Sequence, residues 1–561
     1  MSNRTVGKNV SSRQRILNSN FRFIFFRSVV CILCLESWSL PIYKLTMEGK
    51  CLFFLIFAIM AAVMDGQTLG GPMHGKVVVC YVATWAAYRP GAGKFELADI
   101  EPSLCTHLVY SFAGLDESTL SIKSLDAWQD LEKDYGKGGY KRMVALKARY
   151  PHLKVTVAIG GWNEGSEKYS KMAAKPETRA KFVQSVVHFL GTYKFDGLDL
   201  DWEYPTKRGG SPEDRNNYVA MVKELKEAFE PHGYILTAAL GAGKETMDTA
   251  YDLARLSRYL DFLHMMCYDY HGTWDNLVGA NAPLRGTTEA DFLSVEYTIK
   301  YLLSHGVSPY KMVLGLPMYG RDFILSDPSV SSIVFGQTPA KNIGFAGPYT
   351  REAGFLGYNE ICEEMTNKSS KWTHHWDDRA ATPYLRDGER VIVYDNPRSI
   401  AIKVKMAIDY GLGGLMVWSI DTDDFRGLCD SEPETYIDFV ERYNKMVDDP
   451  VLQEALKNLK LPDANRIENL SRRTAYAVAN NKLHLRLAES EFSNYPLMRT
   501  INEATTLALE EKRILDEMAA VLKQNEIEVK PKGKDDKGSA HAGCGSLLLV
   551  LCGVFSYVLF S

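Results

Sequence analysis

Short apolar runs alternate with longer amphipathic stretches between residue 76 and about residue 443. The runs are rich in β-branched residues, which favours strands, and several are apolar on both faces, as strands covered by helices are. Eight such repeats predict an α/β fold, a (β/α)8 TIM barrel. The eight predicted strands are Val77–Thr84, Thr106–Gly114, Val155–Gly161, Gly197–Trp202, Ile235–Leu240, Phe262–Asp269, Met312–Gly320 and Gly414–Ser419.

More than ninety residues separate the seventh and eighth predicted strands, which is too many for one crossover helix. The interval from about residue 322 to residue 395 contains turn signals, aromatic patches and another strand-like run, Val391–Tyr394. These features predict a small α+β subdomain inserted over the barrel mouth. The barrel, including this insertion, is expected to span residues 76–445.

Beyond about residue 448 the chain becomes more charged, and its apolar residues fall at helical spacing. The pattern predicts a helical stalk over residues 446–537. A coiled coil is an alternative, but Glu511 interrupts the seam, so the sequence favours a solvated helix. The apolar positions are Leu497, Ile501, Ala504, Ala508, Leu515, Met518 and Leu522.

The N-terminal region has the pattern of a secretory leader. Met47 and Lys50 precede an apolar run, Cys51–Met64, with small residues near its end. A leader is therefore expected over residues 1–66, with the signal peptide at 47–66 and cleavage near Gly66. The start of the protein is either Met1 or Met47.

The C-terminal region has the pattern of a glycosylphosphatidylinositol anchor signal over residues 538–561. Small residues at 538–540 precede an uncharged apolar stretch, Leu547–Phe560. Ser539 is the expected attachment residue, which would tether the protein to the outer leaflet of the plasma membrane. A transmembrane helix is the alternative, but the stretch is short for a span and has no basic flank.

Composition adds two expectations. The net charge of −4 provides no argument for a nucleic-acid partner. Between the two terminal segments lie five cysteines, for which Cys80–Cys105 and Cys362–Cys429 are the plausible disulfides and Cys267 a buried thiol. Glycosylation sequons at Asn367 and Asn469 agree with secretion.

The segment Asp196–Pro205 carries the strongest chemical signal in the chain. Asp199, Asp201 and Glu203 alternate along a predicted strand, so they should point to one face about 6–7 Å apart. Like charges at such spacing push their pKa values apart, which suits general acid catalysis. A metal-binding or solvated acidic strand is the alternative, but calcium loops need glycine-rich turns rather than interleaved Leu, Trp and Tyr.

These residues and four further motifs resemble the family-18 glycoside hydrolases, specifically the secreted chitinases of arthropods. The resemblance covers roughly residues 76–443, and the family signature Asp-x-x-Asp-x-Asp-x-Glu falls at Asp196, Asp199, Asp201 and Glu203. The further motifs lie at predicted strand ends. They are Ala158–Trp162, Met266–Asp269, Gly315–Arg321 and Gly414–Trp418, with Ala158 where a Ser is frequent.

The resemblance implies a substrate-assisted retaining mechanism. Glu203 would protonate the glycosidic oxygen, while the N-acetyl carbonyl of the sugar attacks its own anomeric carbon. Asp201 would hold the acetamido N–H, and Asp199 would share a proton with Asp201. Tyr268 would hydrogen-bond the acetamido oxygen, and Asp269 would support the distorted sugar.

The resemblance also implies a substrate-binding surface of aromatic side chains, because sugar rings have apolar faces that stack on indole. Trp418 would form the floor of the cleavage subsite. Further substrate contacts would come from Trp85, Trp162, Trp274, Tyr81, Met266, Tyr319, Arg321 and Glu352, although Tyr81, like Phe112 and Met416, is equally suited to wall or core.

The expected function is that of an endo-acting chitinase acting on chitin and chito-oligosaccharides, with a monomeric catalytic domain. No metal or cofactor is expected. A chitin-binding lectin or growth-factor-like protein is the alternative, although such relatives typically lose the acid at the position of Glu203. Cleavage of N-glycan cores is a further alternative that shares the acid motif.

Overall fold

The computed structural model describes residues 70–366, 369, 371–429 and 494–528, with side chains given in the last range up to 513 and at 516. The expected leader, the sequons at Asn367 and Asn469 and the anchor signal with Ser539 lie outside the described residues. Within these residues, no helix is long and apolar enough to cross a membrane.

Eight parallel strands close into a barrel, which confirms the predicted fold. The sheet order is β1-β14-β8-β7-β6-β5-β4-β2, and β2 pairs back with β1. A short strand, β3, extends β2 as an antiparallel hairpin. In chain order these strands are β1 (Val77–Ala83), β2 (His107–Asp116), β3 (Ser121–Ser124), β4 (Lys154–Gly160), β5 (Gly197–Asp201), β6 (Ile235–Gly241), β7 (Phe262–Met266), β8 (Met312–Pro317) and β14 (Gly414–Trp418).

Alternation along the strands produces two apolar layers. On β1, Val78, Cys80 and Val82 belong to the large core between the barrel and its surrounding helices. Val79 and Tyr81 point the other way, into a smaller cluster that fills the barrel interior. Both layers are buried, which explains why the strands are continuous apolar runs in the sequence.

Helices cover the outside of the barrel, and their apolar faces form the outer side of the large core. Most follow a barrel strand directly, as in a βα repeat. The α-helices of the described residues, of which α9 belongs to the insertion, are α1 (Ala127–Asp130), α2 (Gly139–Arg149), α3 (Glu167–Ala173), α4 (Pro176–Tyr193), α5 (Asp214–Phe229), α6 (Lys244–Ala250), α7 (Leu253–Tyr259), α8 (Val295–Ser304), α9 (Tyr358–Thr366), α10 (Pro397–Asp409) and α11 (Pro496–Glu528).

The predicted insertion is an antiparallel five-stranded sheet with helix α9. It begins earlier than expected, because the predicted strand Met312–Gly320 is two strands: β8 ends at Pro317, and the next strand already pairs with the inserted sheet. The sheet order is β10-β9-β13-β12-β11. Its strands are β9 (Tyr319–Ile324), β10 (Leu356–Gly357), β11 (Thr373–Asp377), β12 (Thr382–Asp387) and β13 (Arg390–Val393).

Helix α11 corrects the expected stalk. Its helical conformation is as predicted, but Leu497, Met498 and Ile501 are fully buried in the main core, and the helix packs against α10. The expectation of a solvated helix is therefore wrong for residues 496–511. This helix follows the last barrel strand and completes the eighth βα repeat. The expected stalk residues 446–493 and 529–537 lie outside the described part of the chain.

Both predicted disulfides are present. Cys80–Cys105 joins β1 to the segment before β2, with the two Cα atoms 6.0 Å apart. Cys362–Cys429 joins α9 of the insertion to the loop after β14, with a Cα–Cα distance of 5.7 Å. Cys267 is a buried free thiol, as predicted.

Candidate active site

The acidic motif lies at the carboxyl end of the barrel strands, where the loops after each strand converge. Asp199 and Asp201 point into the barrel from β5, since Leu198 and Leu200 face the helices. The strand ends at Asp201, so Glu203 lies in the following loop and not, as expected, on the strand itself.

Asp196, the first acid of the motif, lies at the opposite end of β5 and has a structural role. Its carboxylate accepts the backbone N–H of Val155 at 2.7 Å and pairs with Lys147 at 2.9 Å. These contacts hold β5 to the neighbouring strand and to α2. Asp196 is thus distant from the other three acids along the strand.

Asp199 is completely buried, and its carboxylate contacts three side chains from three other strands. Tyr81 and Thr237 donate hydroxyl hydrogen bonds at 2.6 Å each. His264 Nδ1 lies 3.0 Å from the same carboxylate. Burial, together with the Asp199 charge, raises the pKa of Tyr81 far above its ordinary value, so Tyr81 remains a hydrogen-bond donor.

This arrangement decides the place of Tyr81 and adds two residues. Tyr81 was equally suited to cleft wall and core, and its side chain is buried beneath Asp199, so it does not line the cleft as a substrate contact would. Thr237 and His264 were not predicted as site residues. The available signal was a polar side chain at an inward position of an otherwise apolar strand.

Asp201 is buried between the other two acids. Burial raises its pKa well above the ordinary carboxyl value, and the charges of Glu203 and Asp199 raise it further. Its Oδ1 atom has no hydrogen-bond partner among the described residues. The raised pKa favours the protonated carboxyl group, and its Oδ1 atom is free to accept a hydrogen bond. The shared proton between Asp199 and Asp201 stays a prediction.

Glu203 has the pKa that general acid catalysis requires. Burial raises the pKa of its carboxyl group to about 7, with a hydrogen bond to Tyr204 and the charge of Arg208 opposing the shift and the charge of Asp269 adding to it. A carboxyl group tuned in this way can both donate and accept a proton during one reaction cycle.

Residues in the loop after β7 and on β9 form the opposite side of the site. Asp269 accepts a hydrogen bond from Tyr319 at 2.7 Å and pairs with Arg321, whose Nη2 lies 2.7 Å away. This contact fixes the first strand of the insertion to the barrel. Tyr268 is half-buried, and burial raises the pKa of its hydroxyl well above the ordinary value, so it remains a donor.

The remaining predicted contacts differ in exposure. Met266 packs against the cluster that fills the barrel interior, as does Met416, which is fully buried and belongs to the core. Glu352 is exposed in the insertion, near enough for its charge to act on Arg321.

Four tryptophans line the strand ends, and three of them are exposed to an extent unusual for so large an apolar ring. Trp85 is 44% exposed, Trp162 59% and Trp274 50%. The Trp418 ring lies 6.1 Å from that of Trp85 and is stacked on Phe112 at 5.7 Å. The rings of Trp85, Phe112 and Trp418 contact one another and form an apolar wall. Arg208 lies over the Trp162 ring at 3.6 Å, and Arg321 lies over the Trp274 ring at 5.2 Å.

Within the described residues, one group of potential metal ligands is found: Cys362 on α9, with Asp424 and Cys429 in the loop after β14. Its two sulfurs are bonded to each other and cannot act as thiolates.

This site, with a tuned acid above two buried carboxylates at the mouth of a (β/α)8 barrel, is that of a glycosidase. Residues 77–423 match the family described as Glycosyl hydrolases family 18, and the chain belongs to this family. It is an enzyme of the chitinase type.

Comparisons with individual proteins agree with this assignment. The chain is 47% identical to "Probable chitinase 2" of Drosophila melanogaster over 86% of its own length and 91% of that protein. The crystal structure of Ostrinia furnacalis Group IV chitinase with allosamidin is similar at a TM-score of 0.60 and 43% identity, covering 63% of this chain and 94% of that one. Human YKL-39, described as a pseudo-chitinase with retained chitooligosaccharide binding, is similar at a TM-score of 0.57 and 32% identity, covering 63% and 94%.

Proposed function

We propose that the protein is an endo-acting chitinase that hydrolyses β-1,4-linked N-acetylglucosamine polymers by substrate-assisted retaining catalysis. The observation that carries this proposal is the pKa of Glu203, near 7, beside a buried Asp201 with a free acceptor oxygen. The first group can transfer a proton, and the second can receive an acetamido N–H.

In the first step, protonated Glu203 donates its proton to the glycosidic oxygen, and the bond from that oxygen to the anomeric carbon breaks. The acetamido carbonyl oxygen of the same sugar forms a bond to the anomeric carbon, giving an oxazolinium ion. Oδ1 of Asp201 accepts the acetamido N–H. The hydroxyl of Tyr268 is available to the acetamido oxygen.

In the second step, the Glu203 carboxylate removes a proton from water, which attacks the anomeric carbon. The bond to the acetamido oxygen breaks, and the acetamido group is regenerated. Two inversions at one carbon return the β-anomer. The residues beneath Asp201 contribute by orientation, because Tyr81 and Thr237 fix Asp199 in place.

Exposed aromatic side chains support an endo mode of cleavage. Trp85, Trp162 and Trp274 follow three different strands, so stacking positions extend along the strand ends beyond the acids. A long chain can then bind across the acids with sugars on both sides. Incubating the enzyme with N-acetylglucosamine hexamer tests this: internal cleavage produces trimer together with dimer and tetramer from the first minutes, whereas initial products without trimer, either dimer with tetramer or monomer with pentamer, would contradict it.

A chitin-binding lectin remains the second candidate because the YKL-39 neighbour is described as a pseudo-chitinase. Retention of Glu203, with its pKa near 7, favours hydrolysis. The same hexamer incubation distinguishes the two functions, since a lectin would bind the hexamer and leave it intact.

We also propose that the protein is secreted and held at the cell surface by a lipid anchor near Ser539. The direction of α11 supports an accessible cleft in that state. The helix begins beside Asp423, at the cleft end of the barrel. Further along, its Glu511 pairs with Lys405, which also pairs with Asp409 near the opposite end of the barrel. Phosphatidylinositol-specific phospholipase C should release active enzyme from expressing cells, and an unchanged membrane-bound fraction after treatment would contradict the anchor.

A further inference from the structure

A buried carboxylate connects the loop after β14 with the loop after β1. Asp421 lies three residues beyond Trp418 and is completely buried. One of its carboxylate oxygens accepts the backbone N–H of Ala83 at 2.9 Å, and the other pairs with Nη1 of Arg89 at 2.8 Å. Arg89 Nη1 also lies 3.1 Å from the carbonyl oxygen of Asp421.

The two partners of Asp421 are the two residues that flank the 3₁₀ helix Thr84–Tyr88. Ala83 precedes this helix and Arg89 follows it. The helix carries Trp85, one of the exposed rings of the apolar wall. One side chain therefore holds both ends of the segment that presents Trp85.

Asp421 connects the two chain segments after β1 and β14, beyond the point where the sheet pairs these two strands. The parallel hydrogen-bond ladder between β1 and β14 ends at Cys80 and Val417, before either tryptophan. Beyond that point, the loops after β1 and β14 connect the two strands, and the Trp85 and Trp418 rings lie 6.1 Å apart with Phe112 of β2 stacked on both. The ion pair between Arg89 and Asp421 stabilises the connection between the two loops. The Arg89 side chain is only 11% exposed, and its movement away would leave the buried Asp421 carboxylate unpaired.

We propose that Asp421 is a positioning residue that sets the placement of Trp85 relative to Trp418 and thereby the affinity for chito-oligosaccharides. This role rests on the proposed function, in which both indoles stack on sugar rings. Asp421 is buried and does not touch substrate. It acts through Trp85, so its effect should appear in binding and KM, with kcat and its pH dependence unchanged.

The test uses the full-length protein with Glu203→Gln, which binds without turnover, and measures the Kd for N-acetylglucosamine hexamer by calorimetry. Adding Asp421→Asn keeps an oxygen for the Ala83 N–H but removes the ion pair with Arg89, and it should weaken binding roughly tenfold, the effect of leaving one buried charged group without its partner. Arg89→Lys, which keeps the charge, should bind more tightly than Asp421→Asn. Glu224→Gln is the matched control, since it removes the carboxylate from the buried Arg179 on the outer helices and should lower Tm with an unchanged Kd.

Coupling to Trp85 distinguishes positioning from general stability. Trp85→Ala should weaken binding by itself, and Asp421→Asn should add little in that variant, because the ring it positions is gone. An equal effect of Asp421→Asn with and without Trp85 would overturn the positioning role, as would an unchanged Kd with a lowered Tm. Failure of the Glu203→Gln parent to bind hexamer would overturn the proposed function and this role together, whereas parental binding unaffected by Asp421→Asn overturns the role alone.

Discussion

Helix α11 should be part of the folded catalytic domain, and Ile501→Ala tests this. The Ile501 side chain is fully buried in the main core. Truncating a fully buried Ile to Ala costs about 2–5 kcal/mol through lost burial and the cavity left behind. A typical domain is stable by only about 5–15 kcal/mol, so a large fraction of the total would be lost.

Thermal unfolding monitored by calorimetry provides the measurement. At about 2 °C per kcal/mol for a domain of this size, Ile501→Ala should lower Tm by roughly 4–10 °C. Thr506→Ala on the same helix is the matched control, because Thr506 is exposed and bonds to the helix backbone. Its Tm should lie close to that of the unaltered protein.

Two truncations extend the test. A chain ending at residue 528 keeps α11 and should retain full activity, whereas a chain ending at residue 493 loses every buried contact of the helix and should not fold. An Ile501→Ala variant with an unchanged Tm, or an active chain ending at residue 493, would show that the helix is not part of the barrel and would refute the reasoning.

Three further outcomes are expected. Glu203→Gln should lower kcat by at least about 10²–10⁴-fold, the usual contribution of a general acid, while binding of hexamer is retained; turnover within tenfold of the parent would contradict this. Because Glu203 must be protonated to act and its pKa is about 7, kcat/KM should fall as the pH rises through that value, and a profile that is flat from pH 6 to pH 9 would contradict it. Asp196→Asn should lower Tm through the loss of the Lys147 contact with kcat nearly unchanged, so a large loss of kcat would place Asp196 in the reaction after all.

Local patterns explain which parts of the fold could be predicted. The barrel strands are continuous apolar runs because they are buried on both faces, so their positions could be read to within a few residues. The acid motif could be recognised because Asp199, Asp201 and Glu203 lie at alternate positions of one short segment. Both disulfides were also predicted correctly.

Contacts between distant segments explain what could not be predicted. His264 and Thr237 reach Asp199 only when the barrel closes, and a lone polar residue in an apolar strand does not indicate its partner. Tyr81 points into the barrel from β1, as a residue of the cleft wall also would. Only its depth inside the barrel, which the sequence does not show, decides that it supports Asp199 instead of contacting substrate. The apolar face of α11 was visible at Leu497 and Ile501, but helical periodicity does not reveal whether such a face packs on a barrel or on another partner.

The stereochemistry of the first product tests the central claim most directly. Hydrolysis of N-acetylglucosamine hexamer can be followed by rapid NMR of the anomeric protons, before the new reducing ends equilibrate. If the acetamido group of the substrate attacks while Glu203 donates its proton, the initial product is the β-anomer. An initial α-anomer would mean that water attacks directly, and the roles assigned to Asp201 and Glu203 would be wrong.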